Sequence, residues 1–399
     1  MPFDIEATVD VLALMLLGAS VLAMLAWRIG LPYAVALVLG GVLVEQSGVA
    51  AVPQLEPRVL LFVFLPPLLF DAAFRLDATE LRSNARPVLL LALPGTIATA
   101  VLVALALIPT LHLSVEVALL FGSIVSATDP VAVVSVFRSL NAPARLSVVA
   151  EGESLINDGV AITLYTVAVG LTASGGTDAL AAVGLFTRQV IGGVGIGVVL
   201  GIAFSRLTST VDDHLIEMTL STALAYGSYL IAQALETSGA LACVAAGLIH
   251  GSYGREVGMS ERTRRLLDDL WEYFGFLANA LVFLLVGFTV SVRSLAAEPG
   301  PVSVSIAAVI VSRVLVVFAP PLLIPRRLVV TTHRERAVLV WGGLRGALTI
   351  TLALAVPAQV PERQLLIAMA FGVVLFSLVI QGATLPLVVQ RAGLAREKE

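Results

Sequence analysis

Cysteine, lysine and charge are all scarce in this chain. Cys243 is the only cysteine among 399 residues, which excludes an intrachain disulfide framework and a cysteine-based metal cage and leaves it the role of a small apolar filler. Lys398 is the only lysine, so no Walker A loop can be assembled and nucleotide-driven work within the chain is not expected. No His-Glu-x-x-His sequence occurs, and no serine nucleophile stands beside a base, which argues against an intramembrane hydrolase and against an enzyme generally. Charged residues make up 13% of the chain against 58% hydrophobic, and mean hydropathy is +0.98; a soluble domain carries about 25% charge. With a net charge of -4 and no basic tract, nothing points to nucleic acid.

What is present is a succession of apolar runs, each near the roughly 17 to 20 residues that cross a bilayer. Their order predicts an all-α polytopic membrane protein with about thirteen spans, at 11–27, 32–49, 58–75, 87–110, 115–138, 147–171, 181–205, 216–235, 238–252, 268–290, 302–324, 336–357 and 364–390. The first run lacks a basic flank and a small-residue cleavage site, so a retained helix is expected rather than a signal peptide. With the N-terminus outside, every expected cytoplasmic segment is rich in arginine, from Arg28 and Arg75 to Arg391 and Arg396, while the external segments hold only Arg58, Arg188, Arg293 and Arg363. That bias satisfies the positive-inside rule and puts the C-terminus in the cytoplasm of a cell-membrane protein.

Two spans are interrupted. The fifth carries Ser126-Ala-Thr-Asp-Pro130 and the twelfth Gly342-Gly-Leu-Arg-Gly346, seven spans apart and therefore of opposite direction. Broken helices of that kind meet at the midplane around a substrate site in transporters built from inverted repeats. A channel would instead need a selectivity filter. The seventh span has Gly193, Gly197 and Gly201 at four-residue spacing, which favours close packing on a neighbour.

Charge inside hydrocarbon is costly and marks function or pairing. Asp71, Asp129, Glu151, Glu153, Asp158, Arg313 and Arg345 all fall within spans. Glu153, Ser154, Asn157 and Asp158 recur at helical spacing on one broad face, a set of hard oxygen ligands suited to a dehydrated monovalent cation. Asp158 is the deepest acid of the sixth span. Loss of water disfavours a bare carboxylate, so a proton and a cation compete for it, and that competition is an exchange mechanism. Thr128 and the carbonyls freed at the first break are further candidate ligands, with Pro130 opening a new half-helix and Asp129 as its N-cap, offsetting facing helix ends. An arginine as deep as Arg313 needs a partner, and Glu153 is the expected one. His112, His214, His250 and His333 fall at span ends or loops and are expected to be surface groups, and the charged run from Arg255 to Asp269 reads as a solvated connector.

The sequences FLPPLLFDAAF, GSIVSATDPVAVVSVF, EGESLINDGVAITLY, SRVLVVF and WGGLRGALTI follow one another in an order that resembles the cation:proton antiporter family of the NhaP and Na+/H+ exchanger type. The likeness is sharpest over residues 60–170 and 305–352. It implies two inverted six-helix repeats with a linking helix at about 181–205, an ion-transport core at about 87–171 and 302–390, and a dimerisation scaffold at about 11–75 and 216–290. It implies a homodimer in the bilayer, no cofactor, and electroneutral one-for-one exchange of H+ for Na+ or Li+, with K+ as the alternative. Under the resemblance Asp158 binds cation and proton in turn, Asn157 holds the broken helix through Thr128, Ser154 is a direct ligand, and Asp71 borders the cavity. Glu153 and Arg313 form a stabilising pair. Arg345 either neutralises converging helix ends or contacts Glu151.

Overall fold

A chain this apolar must satisfy its backbone internally wherever water is absent. In the computed structural model, which describes residues 5–29, 33–47, 60–174, 179–289, 292–319 and 332–395, regular structure is helical and no strand occurs among those residues. The principal helices are α1 (Ile5–Ile29), α2 (Tyr33–Ser47), α3 (Leu65–Arg75), α4 (Ala85–Leu111), α5 (Val115–Ile124), α6 (Val131–Ser139), α7 (Ala144–Ser174) and α8 (Ala179–Thr208). They continue with α9 (His214–Ala234), α10 (Gly239–Ile249), α11 (Glu261–Thr289), α12 (Pro299–Phe318), α13 (His333–Trp341), α14 (Ala347–Leu354) and α15 (Arg363–Arg391). Among the described residues, seven of these (α4, α7, α8, α9, α11, α12 and α15) are long and apolar enough to cross a bilayer singly. The other expected spans fall on α1, α2, α3, α10 and the interrupted pairs α5/α6 and α13/α14; parts of those expected at 32–49 and 58–75 lie outside the described residues.

Proline positions explain several local shapes. Pro66 and Pro67 occupy the first turn of α3, where a missing N–H costs nothing. Pro94 sits inside α4, and the helix widens to a π turn over Leu91–Gly95 around it. Ser114 caps α5 by accepting from the Val117 N–H at 3.3 Å, and Thr332 with Glu335 forms a capping box at the start of α13.

The helices pack as two groups. α4 to α7 associate with α12 to α15, and α1 to α3 with α8 to α11; α7 touches α8 and α10 across the divide, and α11 touches α14. Small residues set the closest approaches. A Cβ at Gly41 of α2 would lie 2.8 Å from Gly287 Cα of α11, and one at Gly193 of α8 would lie 3.1 Å from Ser238 Cβ beside α10. Gly197 and Gly201 likewise abut Ala245 and Ile249, so the neighbour of the glycine-spaced helix is α10.

One surface expectation is corrected and a second is sharpened. His250 is fully buried at the end of α10, its Nδ1 3.1 Å from the Ser205 hydroxyl and its ring among Phe70 and Phe74, because the chain stays helical through a π turn over His250–Gly254 instead of leaving the bundle. The segment from Arg255 to Asp269 keeps Glu256, Glu261, Arg262, Arg265 and Asp269 exposed, in keeping with a solvated connector, but it is also tied to the bundle. Its second half is the first two turns of α11, and Arg255 pairs with Asp268, lies 4.5 Å from the Phe74 ring centroid and donates to the Phe74 carbonyl at 3.3 Å.

Candidate ion-binding site

The two interruptions meet. The Asp129 N–H donates to the Leu344 carbonyl at 2.8 Å, joining the residues between α5 and α6 to those between α13 and α14. A helix break leaves partial positive charge at new N-termini and partial negative charge at new C-termini, and one side chain answers each. Asp129 Oδ1 accepts the Val131 N–H of α6 at 3.0 Å, while its carboxylate packs against Gly346, the residue that caps α14. Arg345, fully buried, donates from Nη1 to the carbonyls of Ser126 at 2.6 Å and Ala127 at 2.7 Å, just past the end of α5. Arg345 thus meets backbone carbonyls at the first break, and Glu151 pairs instead with Arg138 at 3.4 Å. Two details differ from what the sequence suggests. Pro130, not Asp129, stands at the N-cap position of α6, and the Asp129 carboxylate reaches over it to the next N–H. The carbonyls of Ser126 and Ala127, expected among free cation ligands, are already occupied by Arg345.

The glycines of the second break have a steric reason. A Cβ at Gly343 would lie 2.6 Å from Arg313 Nε, and one at Gly346 would overlap the Asp129 carboxylate. Arg313 itself is buried on α12 and grips Glu153 of α7 with both ends of its guanidinium, Nη1 to Oε1 and Nη2 to Oε2 at 3.0 Å, and it also donates to the Leu339 carbonyl at 3.2 Å. A bidentate pair with a further acceptor satisfies both charges in a dry place.

On the next turn of α7 the Asn157 amide bridges to the first break. Its Nδ2 donates to Thr128 Oγ1 at 2.7 Å and its Oδ1 accepts the Thr128 N–H at 3.3 Å, while the hydroxyls of Thr128 and Ser154 lie 2.8 Å apart. All three side chains are buried. Asp158 follows directly. It is half-buried, and its Oδ1, shielded from solvent, has no hydrogen-bond partner among the described residues.

Asp158, Ser154, Thr128, Asp129 and Glu151 line a cavity of about 540 Å3 between the two helix groups. Asp71 of α3 lines it from the other side, held 3.6 Å from Arg75, which in turn lies 3.3 Å from Glu272 of α11. Glu272, Asn279 and Tyr33 line the same wall and do not stand out in the sequence as site residues. Glu272 carried a signal, an acid near the start of a long apolar run; Tyr33 and Asn279 carried none. Thr349 of α14 also faces the cavity, and its only sequence signal is its place four residues after Arg345. Among the described residues no group of three or more His, Cys, Asp or Glu is arranged for a metal ion. The carboxylate and hydroxyl oxygens that line the cavity suit a weakly held monovalent cation as cargo.

Interrupted helices that meet, bonded at their ends and flanking a carboxylate with no ion pair or hydrogen bond among the described residues, in a cavity between two helix groups, are the arrangement of a polytopic secondary transporter. The chain belongs to the family described as sodium/hydrogen exchanger, transmembrane, whose model matches residues 13–391. It is 39% identical over 375 residues to the Na(+)/H(+) antiporter ApNhaP of Aphanothece halophytica, covering 92% of this chain and 71% of that one. To the Na(+)/H(+) antiporter NhaH of Halobacillus aidingensis it is 35% identical over 403 residues, covering 98% and 99% of the two chains. Its fold matches that of the sodium proton antiporter MjNhaP1 from Methanocaldococcus jannaschii with a TM-score of 0.84 at 18% identity, over 97% of this chain and 99% of that one.

Proposed function

We propose that this chain exchanges Na+ for H+ across a cell membrane, one for one, with Asp158 as the carboxylate that carries either ion. The observation that carries the reading is the pattern of compensation around the cavity. Glu153 is matched by Arg313, Glu151 by Arg138, and Asp129 by helix N-termini. Asp71 Oδ1 lacks a hydrogen bond but has the Arg75 guanidinium 3.6 Å away. Asp158 alone of these acids keeps a buried oxygen with neither a hydrogen-bond donor nor an ion-pair partner among the described residues. A carboxylate so placed is stable when protonated or when bound to a cation, and unstable bare.

In this reading Ser154 and Thr128 turn their hydroxyl oxygens to the cation when it arrives, Asn157 keeps the first break in register through Thr128, and Asp71 supplies water-mediated contact at the cavity mouth. The group formed by α4 to α7 and α12 to α15 moves against α1 to α3 and α9 to α11, and the latter form the interface of a homodimer, with α8 linking the two. The cavity lining includes Arg75 and Arg138, which under the arginine bias lie towards the cytoplasmic side, with the N-terminus outside and the C-terminus inside. The relatives from Aphanothece halophytica and Halobacillus aidingensis, both named as Na(+)/H(+) antiporters, favour Na+ over K+.

Purified protein in liposomes with an imposed pH gradient tests this. Added Na+ is expected to dissipate the gradient, and Asp158→Asn to abolish that response. Full exchange by Asp158→Asn, or a gradient indifferent to Na+, Li+ and K+ alike, would overturn it.

A further inference from the structure

A dehydrated Na+ needs several oxygen ligands, and the crossing leaves few of them free. The Thr128 hydroxyl is engaged by Asn157 and Ser154, and the carbonyls of Ser126, Ala127 and Leu344 accept from Arg345 and from the Asp129 N–H. Thr349 is different. It is fully buried, it lines the same cavity as Asp158, and its hydroxyl has no hydrogen-bond partner among the described residues.

The cause lies in the second break. Helical threonines ordinarily return their hydroxyl to the carbonyl four residues earlier, as Thr351 does to Ala347 at 3.0 Å and Thr163 to Gly159 at 2.8 Å. Four residues before Thr349 is Arg345, which lies outside α14, two residues before its start at Ala347, so Thr349 has no helical residue four positions back to bond. The interruption thus leaves one buried hydroxyl without a partner in a residue of the cavity lining. Burying a hydroxyl without a partner costs free energy, and a cation in the cavity would recover that cost.

We propose that Thr349 is a further ligand of the transported cation, giving it a neutral oxygen from the second interrupted helix while Asp158, Ser154 and Thr128 serve it from α7 and the first. The inference rests on the exchange reading above. It goes beyond it in a specific way: a proton on Asp158 needs no second ligand, so Thr349 acts on the cation arm of the cycle only. Occupancy by the cation then ties α14 to α7, whereas protonation does not.

Liposome exchange by the full chain carrying Thr349→Val, which keeps the shape and removes the hydroxyl, separates the two arms. The apparent KM for Na+ is expected to rise roughly tenfold, the scale of removing one polar ligand, with maximal rate and the pH dependence of that rate unchanged. Thr349→Ser, which restores the oxygen, is expected to return KM to the parent value. Should Thr349→Val not assemble, equilibrium binding of radioactive Na+ to detergent-purified Thr349→Ala gives the same readout as a weakened affinity. A KM or affinity within about twofold of the parent, or a serine variant as impaired as the valine one, overturns the proposal. Asp158→Asn run alongside keeps the readings apart: if it too retains exchange, the exchange reading falls with its ligand, whereas a silent Asp158→Asn beside an unaltered Thr349→Val overturns the Thr349 assignment alone.

Discussion

Glu153 and Arg313 stand 160 positions apart, and both charges are held where water is scarce, at 2% and 6% exposure. Removing one partner leaves the other charge unpaired, which costs about 3 to 5 kcal/mol; replacing both by apolar groups of similar size is often neutral. Arg313→Met is therefore expected to lower the thermal unfolding midpoint of the detergent-solubilised protein sharply, and the double variant Glu153→Leu with Arg313→Met to recover most of it. Equal loss in the single and double variants would show that the pair acts through something other than charge balance. Because neither residue lines the 540 Å3 cavity, the double variant should keep measurable Na+-dependent exchange.

Between elements, the crossing depends on a backbone approach that a single methyl group can prevent. Gly346 touches the Asp129 carboxylate with no room for a Cβ, whereas a Cβ at Gly195 on α8 meets nothing within 4 Å. Gly346→Ala should displace Asp129 from the N-termini of α6 and α14 and depress exchange at least ~10-fold, while Gly195→Ala, which gains about 1 kcal/mol of helix propensity, should leave it intact. Both are read in the same liposome assay, and normal exchange by Gly346→Ala would mean the crossing tolerates movement. Much of this crossing was legible in the sequence. Pro130 and the glycines at 342, 343 and 346 mark both breaks, and an arginine as deep as Arg313 calls for an acid such as Glu153, beside Ser154. Arg345 was harder, because its acceptors are the backbone carbonyls of Ser126 and Ala127, and a carbonyl has no letter in the sequence. For the same reason Thr349 passed unnoticed: its hydroxyl is unpartnered only because α14 begins at Ala347, a boundary that hydropathy does not resolve.

At the scale of the whole molecule, hydropathy counts apolar runs but says nothing of which pack together, so the burial of His250 and the folding of Arg255 onto Phe74 and Asp268 were missed. The grouping matters because it places the cavity: one wall carries Asp158, the other Asp71, Glu272 and Asn279. A single carboxylate served in this way cannot hold a proton and a cation at once. Simple competition then sets the pH response. With one shared site, the apparent KM for Na+ equals its intrinsic value multiplied by one plus the ratio of proton concentration to the proton dissociation constant. On the acid side KM should rise about tenfold for each unit that pH falls, and the maximal rate at saturating Na+ should hold, because enough cation displaces every proton. Initial rates of Na+ uptake into liposomes, measured over a grid of pH and Na+ concentration with both sides at equal pH, test the relation directly. A maximal rate that falls with pH at saturating Na+ while KM stays constant would assign the proton to a second group, and Asp158 would then be a cation ligand only.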